Sequence, residues 1–169
     1  MEVVKMLLVF CLVVKCCSCS VNQAGGPLLF ECRPQEQIVS ISSNFSQPGR
    51  LWNFGCANVA SLGSCVWKNN VHKARAGINF QCPEVHAITG IRGNYSRTDE
   101  DRIFDIKCCE IKTPGDNCAW YGAHDNEYHI SYDHVIPSDQ YLNGIYSIYD
   151  GDKKDRTFQF YHCITPKWE

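Results

Sequence analysis

The segment ITGIRGNYSRTDEDRIFDIKCC, residues Ile88 to Cys109, occurs in the chain in three versions. An earlier one is IVSISSNFSQPGRLWNFGC (Ile38 to Cys56), and a later one is LNGIYSIYDGDKKDRTFQFYHC (Leu142 to Cys163). Each has an alternating apolar stretch, a polar turn, an arginine and a second alternating stretch that ends in cysteine. Ile41, Ile91 and Ile145 are equivalent, as are Asn44 and Asn94, where the third copy has Ile148. Self-similarity on this scale marks a repeat architecture. Side chains of a strand alternate between its two faces. Arg50, Trp52, Phe54 and Cys56 therefore share a face, as do Arg102, Phe104, Ile106 and Cys108, and Arg156, Phe158, Phe160 and His162. The opposite faces carry Asn53, Asp105, Lys107, Thr157 and Gln159, the pattern of half-buried antiparallel strands.

Outward from these hairpins, helical periodicity is absent and short aromatic or β-branched runs are bounded by Gly, Pro, Asn and Asp. The chain is predicted to be all-β and disulfide-stapled. Three internal repeats (about 28–67, 78–120 and 128–163) would form a pseudo-threefold closed architecture, a β-prism first and a β-trefoil as the alternative. Residues 1–20 read as a secretory signal: Lys5, then the apolar run Met6 to Val14, then small residues before Val21. The run is too short for a bilayer core of roughly 30 Å. Residues 21–169 are then one domain, long enough to bury a core.

That domain keeps Cys32, Cys56, Cys65, Cys82, Cys108, Cys109, Cys118 and Cys163. An even set in an oxidising compartment argues for bridges rather than metal ligation. Cys56 and Cys108 fall on the arginine face, and Cys109 and Cys163 on the other. Copies one and two each have a core-face cysteine and an upstream cysteine, and the third copy has neither, which suggests Cys32–Cys56 and Cys82–Cys108. Cys65–Cys109 and Cys118–Cys163 would follow. This is one choice among roughly a hundred connectivities.

The net charge of −2 includes no basic stripe, so nucleic acid is not an expected partner. Asn44-Phe45-Ser46 and Asn94-Tyr95-Ser96 are N-glycosylation sequons in equivalent places.

The strands GRLWNFGC, DRIFDIKCC and DRTFQFYHC, with FEC and FQC upstream and the CVW and CAW segments, resemble the dermatopontin family, including the invertebrate haemagglutinin/amebocyte aggregation factors. The resemblance runs from about Leu28 to Cys163. It implies a secreted, non-enzymatic protein of the extracellular space. In vertebrates that means a matrix component binding collagen, proteoglycans and cells; in invertebrates, a lectin-like agglutinating or defensive protein, with some cnidarian members described as cytotoxins. Two departures stand out. Val21 to Pro27 lacks an acidic, tyrosine-rich stretch, and Gly49-Arg50 replaces the usual Asp-Arg. The first favours glycan-binding adhesion over the alternative, a structural matrix protein that contacts collagen without a sugar pocket. Repeated weak sites, or a homo-oligomer, would crosslink cells by multivalency.

Arg50, Arg102 and Arg156 are candidate ligand residues, because a guanidinium can stack on a ring and offer a fork to a carboxylate or sulfate. The competing and stronger reading is structural, the arginines either snorkelling from the core face of their strands or paired with Asp101 or Asp155. Trp67 and Trp120 are candidate sugar platforms if exposed, packing residues if buried; Trp52 belongs to the core face. The acidic turns at Asp99 to Asp101 and Asp150 to Asp155 read as solvated turns rather than calcium sites, since copy one offers only Gln47-Pro48-Gly49 there. His124, His129 and His134 match no zinc spacing. No metal or cofactor is called for, and without HExxH, G-x-S-x-G, P-loop or thiol-active-site patterns the sequence predicts no catalysis.

Overall fold

The computed structural model describes residues 21–59, 61–112, 115, 117–122 and 127–165. The expected signal segment 1–20 and His124 lie outside the described residues. Eleven strands and no helix are found among the described residues: β1 (Leu28–Glu31), β2 (Glu36–Phe45), β3 (Arg50–Asn58), β4 (Leu62–Lys68), β5 (Ile78–Gln81), β6 (His86–Ser96), β7 (Asp101–Ile111), β8 (Cys118–Tyr121), β9 (Tyr132–Val135), β10 (Gln140–Asp150) and β11 (Asp155–Ile164).

The three repeated segments are the antiparallel hairpins β2–β3, β6–β7 and β10–β11. The short strands then pair outside their own copies. β1 lies against β6, β5 against β10 and β9 against β2, so each copy lends a strand to another hairpin and the lending runs in a circle. β4 and β8 add to β7 and β11. The sheet orders are β1-β6-β7-β4, β5-β10-β11-β8 and β3-β2-β9. The expectation of a closed architecture is corrected here: these are three separate sheets and no barrel closes. Every sheet is built on a hairpin extended by one or two short strands, and among the described residues no strand of one sheet pairs with a strand of another.

Each hairpin carries a register shift at the same place, between Ile38 and Ser40, Ile88 and Gly90, and Leu142 and Gly144. A bulge leaves its extra residue outside the ladder. The carbonyls of those extra residues, Val39, Thr89 and Asn143, accept from the N–H groups of Ile136, Cys32 and Cys82, each at 2.9 Å. The bulge thus anchors the incoming strand. Gly144 serves that approach, since a Cβ there would lie 2.7 Å from the carbonyl oxygen of Phe80 on β5.

The inner faces of all three sheets supply one core that includes Ile41, Ile91, Ile145, Trp52, Phe104 and Phe158. The Trp52, Phe104 and Phe158 rings meet edge to face at 6.0, 5.0 and 6.2 Å, so every hairpin contributes one ring to the centre. The void left among them is 10 Å³, at the lower limit of the roughly 10–15 Å³ a water requires. A smaller cluster around Leu62, Ala87, Ile111 and Tyr141 includes Cys109 and Cys163.

The four bridges are Cys32–Cys56, Cys82–Cys108, Cys65–Cys109 and Cys118–Cys163. They are of two kinds. Cys65–Cys109 and Cys118–Cys163 join directly opposed residues of adjacent strands, with Cα atoms 4.0 Å apart, and pin β4 and β8 as edges. Cys32 and Cys82 follow the lent strands β1 and β5 and bond back to their own copies, so these two bridges tie one sheet to another.

Candidate functional site

The core-face arginines are buried, 4–5 % exposed. Arg50 Nε–H and Nη2–H donate to the two Asp155 carboxylate oxygens at 2.7 Å each, and Arg156 holds Asp101 the same way at 2.7 and 2.6 Å. These forks match the planar carboxylate and pair both buried charges, leaving the Arg156 Nη1 buried without a partner among the described residues. Each carboxylate also accepts a backbone N–H, Asp101 from Arg75 and Asp155 from His129, both at 2.8 Å. Burial alone would raise the Asp101 pKa; the Arg156 hydrogen bonds and charge outweigh it and hold Asp101 below the usual carboxylate range. Arg50 and Arg156, candidates for ligand contact, are committed to internal pairs that cross between copies.

Arg102 has the same setting without the carboxylate. Its Nη1–H donates to the Gly93 carbonyl at 2.9 Å and its Nη2–H to the Gly26 carbonyl at 2.8 Å. The second bond repeats those of Arg50 to Ile130 and Arg156 to Ala76. Among the described residues no carboxylate lies within ion-pair distance of it. Where Asp101 and Asp155 serve the other two arginines, the equivalent residue facing Arg102 is Gly49 of the first copy. Burial lowers the Arg102 pKa to about 10, so the group stays a cation at neutral pH.

Trp120 on β8 is 36 % exposed and Tyr121 beside it 41 %. The Trp120 ring lies 4.8 Å from Tyr161 and 6.0 Å from Tyr146, centroid to centroid, giving an aromatic surface across β8, β11 and β10. Trp67, its counterpart on β4, is half-buried and covered by the Arg92 guanidinium at 4.4 Å, which is itself held by Asp105 at 2.8 Å. The two tryptophans match in sequence and differ in availability. Asn44 and Asn94 are exposed at matching hairpin positions.

The acidic turns spend their carboxylates internally. Asp150 accepts from the Asp152 and Lys153 N–H groups, Asp99 from the Ser96 hydroxyl, and Glu100 from Lys154. No group of three metal-ligating side chains forms among the described residues. His129 stacks on Phe45, while His134 and His162 meet Nε2 to Nε2 at 2.8 Å. This histidine pair joins β9 to β11 where the third copy lacks its inter-sheet disulfide: Ile136 and His162 stand at the positions of the missing cysteines. A 630 Å³ cleft beside the end of β3, lined by residues such as Ser40, Asn58, Val135 and Pro137, has neither an aromatic ring nor a titratable group among the described residues that line it.

The dermatopontin family profile matches residues 22–167. The chain belongs to the dermatopontin family. It is 34 % identical to a hemagglutinin/amebocyte aggregation factor of Limulus polyphemus, over 85 % of this chain and 86 % of that protein. It is 24 % identical to a dermatopontin of Biomphalaria glabrata (85 % and 98 %) and 26 % identical to Millepora cytotoxin-1 of Millepora dichotoma (85 % and 65 %). No solved structure matches the chain. Within this dermatopontin-family fold, sequence reading missed Tyr146 and Tyr161 as neighbours of Trp120, because they come from other strands. It also missed the His134–His162 contact, whose one sequence signal was His162 standing where the other copies have cysteine.

Proposed function

We propose that this dermatopontin-family chain is a secreted, non-enzymatic adhesion or agglutination protein, with residues 1–20 removed as a signal and residues 21–169 acting as one glycan-binding domain. The observation that carries the reading is the Trp120 ring, 36 % exposed and framed by the half-buried Tyr146 and Tyr161, an aromatic surface of the kind on which the apolar side of a sugar ring packs. The relative named as a hemagglutinin and aggregation factor supports it, as do four disulfides, which persist in oxidising compartments. We read the three sheets as a pseudo-threefold, prism-like scaffold, an arrangement favoured by the circular lending of strands. Glycans at Asn44 and Asn94 would project from its hairpins. Cells would be crosslinked through repeated weak contacts or through a homo-oligomer.

A glycan array probed with the oxidised protein tests this. Selective binding is expected, and Trp120→Ala should weaken it several-fold, up to about tenfold, a loss of the size one aromatic contact supplies, without lowering the melting temperature. A blank array with folded protein would remove the reading. A second reading, a matrix protein without a sugar pocket, is favoured by the outer edge of β3, on which no strand pairs among the described residues, and by the neutral cleft beside it. Binding to deglycosylated collagen would select that one.

A further inference from the structure

The hairpins repeat one electrostatic unit with a single part missing. In two places a buried arginine, a carboxylate from the next turn and a backbone N–H converge: Arg50 with Asp155 and His129, and Arg156 with Asp101 and Arg75. His129 and Arg75 both have positive φ, 66° and 61°. In the third place Gly25 keeps that conformation at φ 63°, Gly26 supplies the carbonyl, and Arg102 supplies the cation. Only the carboxylate is absent, replaced by Gly49 on a turn two residues shorter than the other two.

A cavity of 30 Å³ remains there, where Gly49, Tyr95 and Arg102 meet the two complete units, whose Arg50–Asp155 and Arg156–Asp101 pairs also line it together with Glu100. It shares Gly49, Tyr95, Glu100 and Lys154 with an outer cleft of 310 Å³ whose other walls are Phe45, Gln47 and Pro48. Among the described residues no acceptor is placed on the Arg102 Nε–H, the group that binds the carboxylate in the two complete units. A buried cation lacking its counter-charge is costly, and a ligand that supplies the charge recovers that cost on binding.

We propose that Arg102 and the Gly49 turn form a carboxylate-binding site, filled by the acid group of a uronate-type sugar whose ring lies in the outer cleft. The carboxylate would take the place of the missing aspartate, accepting from Arg102 Nε–H. The cleft volume is at the small end of ligand pockets, about 300–1,000 Å³, which suits one sugar ring rather than a folded partner. Its mixture of Phe45, Tyr95 and Pro48 with Gln47 and the Glu100–Lys154 pair offers rings for stacking and polar groups for hydroxyls. The choice of a sugar acid rests on the glycan-binding reading above; the anion site itself does not.

The test is a titration of arginine-¹⁵N-labelled, oxidised protein with glucuronate, acetate and glucose at constant ionic strength, following the Nε–H resonances. One resonance, assigned to Arg102 by its loss in Arg102→Lys, should shift saturably with glucuronate and more weakly with acetate. Glucose should leave it in place, and Arg50 and Arg156, already paired with Asp155 and Asp101, should shift less than Arg102. If Arg102→Lys does not fold, Gly49→Asp serves instead, because an internal carboxylate should abolish the saturable shift. No saturable shift at Arg102, an equal response to glucose, or a shift that survives in Gly49→Asp would overturn the proposal. Trp120→Ala separates the two sites. A glucuronate response unchanged in Trp120→Ala supports the Arg102 site whatever the array shows, and a response at the Arg102 resonance that is lost in Trp120→Ala refutes the Arg102 site while leaving the aromatic platform standing.

Discussion

Arg50 and Arg156 each depend on one carboxylate that belongs to another copy, so removing it strands a buried guanidinium. Asp155→Asn keeps the shape and removes the charge; breaking a buried pair from one side costs about 3–5 kcal/mol. Urea unfolding should show an unfolding free energy lower by that amount, whereas Lys154→Gln, which breaks only the exposed pair with Glu100, should change it by less than about 1 kcal/mol. The His134–His162 contact gives a pH dependence at the same scale. Burial first, then the neighbouring His134, lowers the His162 pKa to about 4, and burial lowers that of His134. The pair is faced by Gln140, Phe160 and the Tyr121 ring, none of them charged. The unfolded chain protonates these rings near the ordinary value of about 6.5, so below that pH it binds more protons than the folded chain does. The contribution to stability is therefore complete above about pH 6.5 and is lost as pH falls toward about 4. Melting temperatures measured between pH 7 and pH 4.5 should fall, and more steeply in wild type than in His162→Gln.

At the scale of elements, the two kinds of disulfide have different work. Cys65–Cys109 and Cys118–Cys163 hold edge strands already paired by hydrogen bonds, while Cys32–Cys56 and Cys82–Cys108 connect separate sheets. Loop-closure entropy gives both classes similar weight, about 3–4 kcal/mol in the chain-entropy model. They should nonetheless fail differently. In Cys65→Ser/Cys109→Ser, hydrogen exchange should accelerate first in β4 and leave β2, β6 and β10 protected. In Cys32→Ser/Cys56→Ser, protection should fall in β1, β2, β3 and β6 together. Equal, uniform loss in both variants would mean that the sheets unfold as one unit regardless of where they are tied.

For the whole molecule the Trp52, Phe104 and Phe158 rings matter most, because they bring the three hairpins to one point. Phe104→Ala should cost about 3–5 kcal/mol, as aromatic truncations in a close-packed core do, and should lower the stability of all three sheets in one transition. The circular lending of strands gives the physical reason: no copy holds a complete sheet of its own. A fragment containing one hairpin would expose its core face and the ladder edge that its lent strand covers.

The alternation of Arg50, Trp52 and Phe54, and its repetition at Arg102 and Arg156, was enough to establish strands, to name the core face and to divide the cysteines into two classes. Those are local properties of a chain whose side chains switch face at every residue. The joint loss of two cysteines from the third copy was also visible in the sequence, and the observed bridges follow that pattern. Which hairpin receives β1, β5 or β9 was not visible, because a four-residue strand carries no mark of its partner and the choice is made by packing across the core. The same holds for the site residues. Trp67 and Trp120 are equivalent in sequence, yet Arg92 covers one while tyrosines frame the other. Gly49 was legible as a departure from Asp-Arg, but its consequence depends on Arg102 reaching the same place from another hairpin, and only the tertiary structure brings a buried cation and a missing carboxylate together.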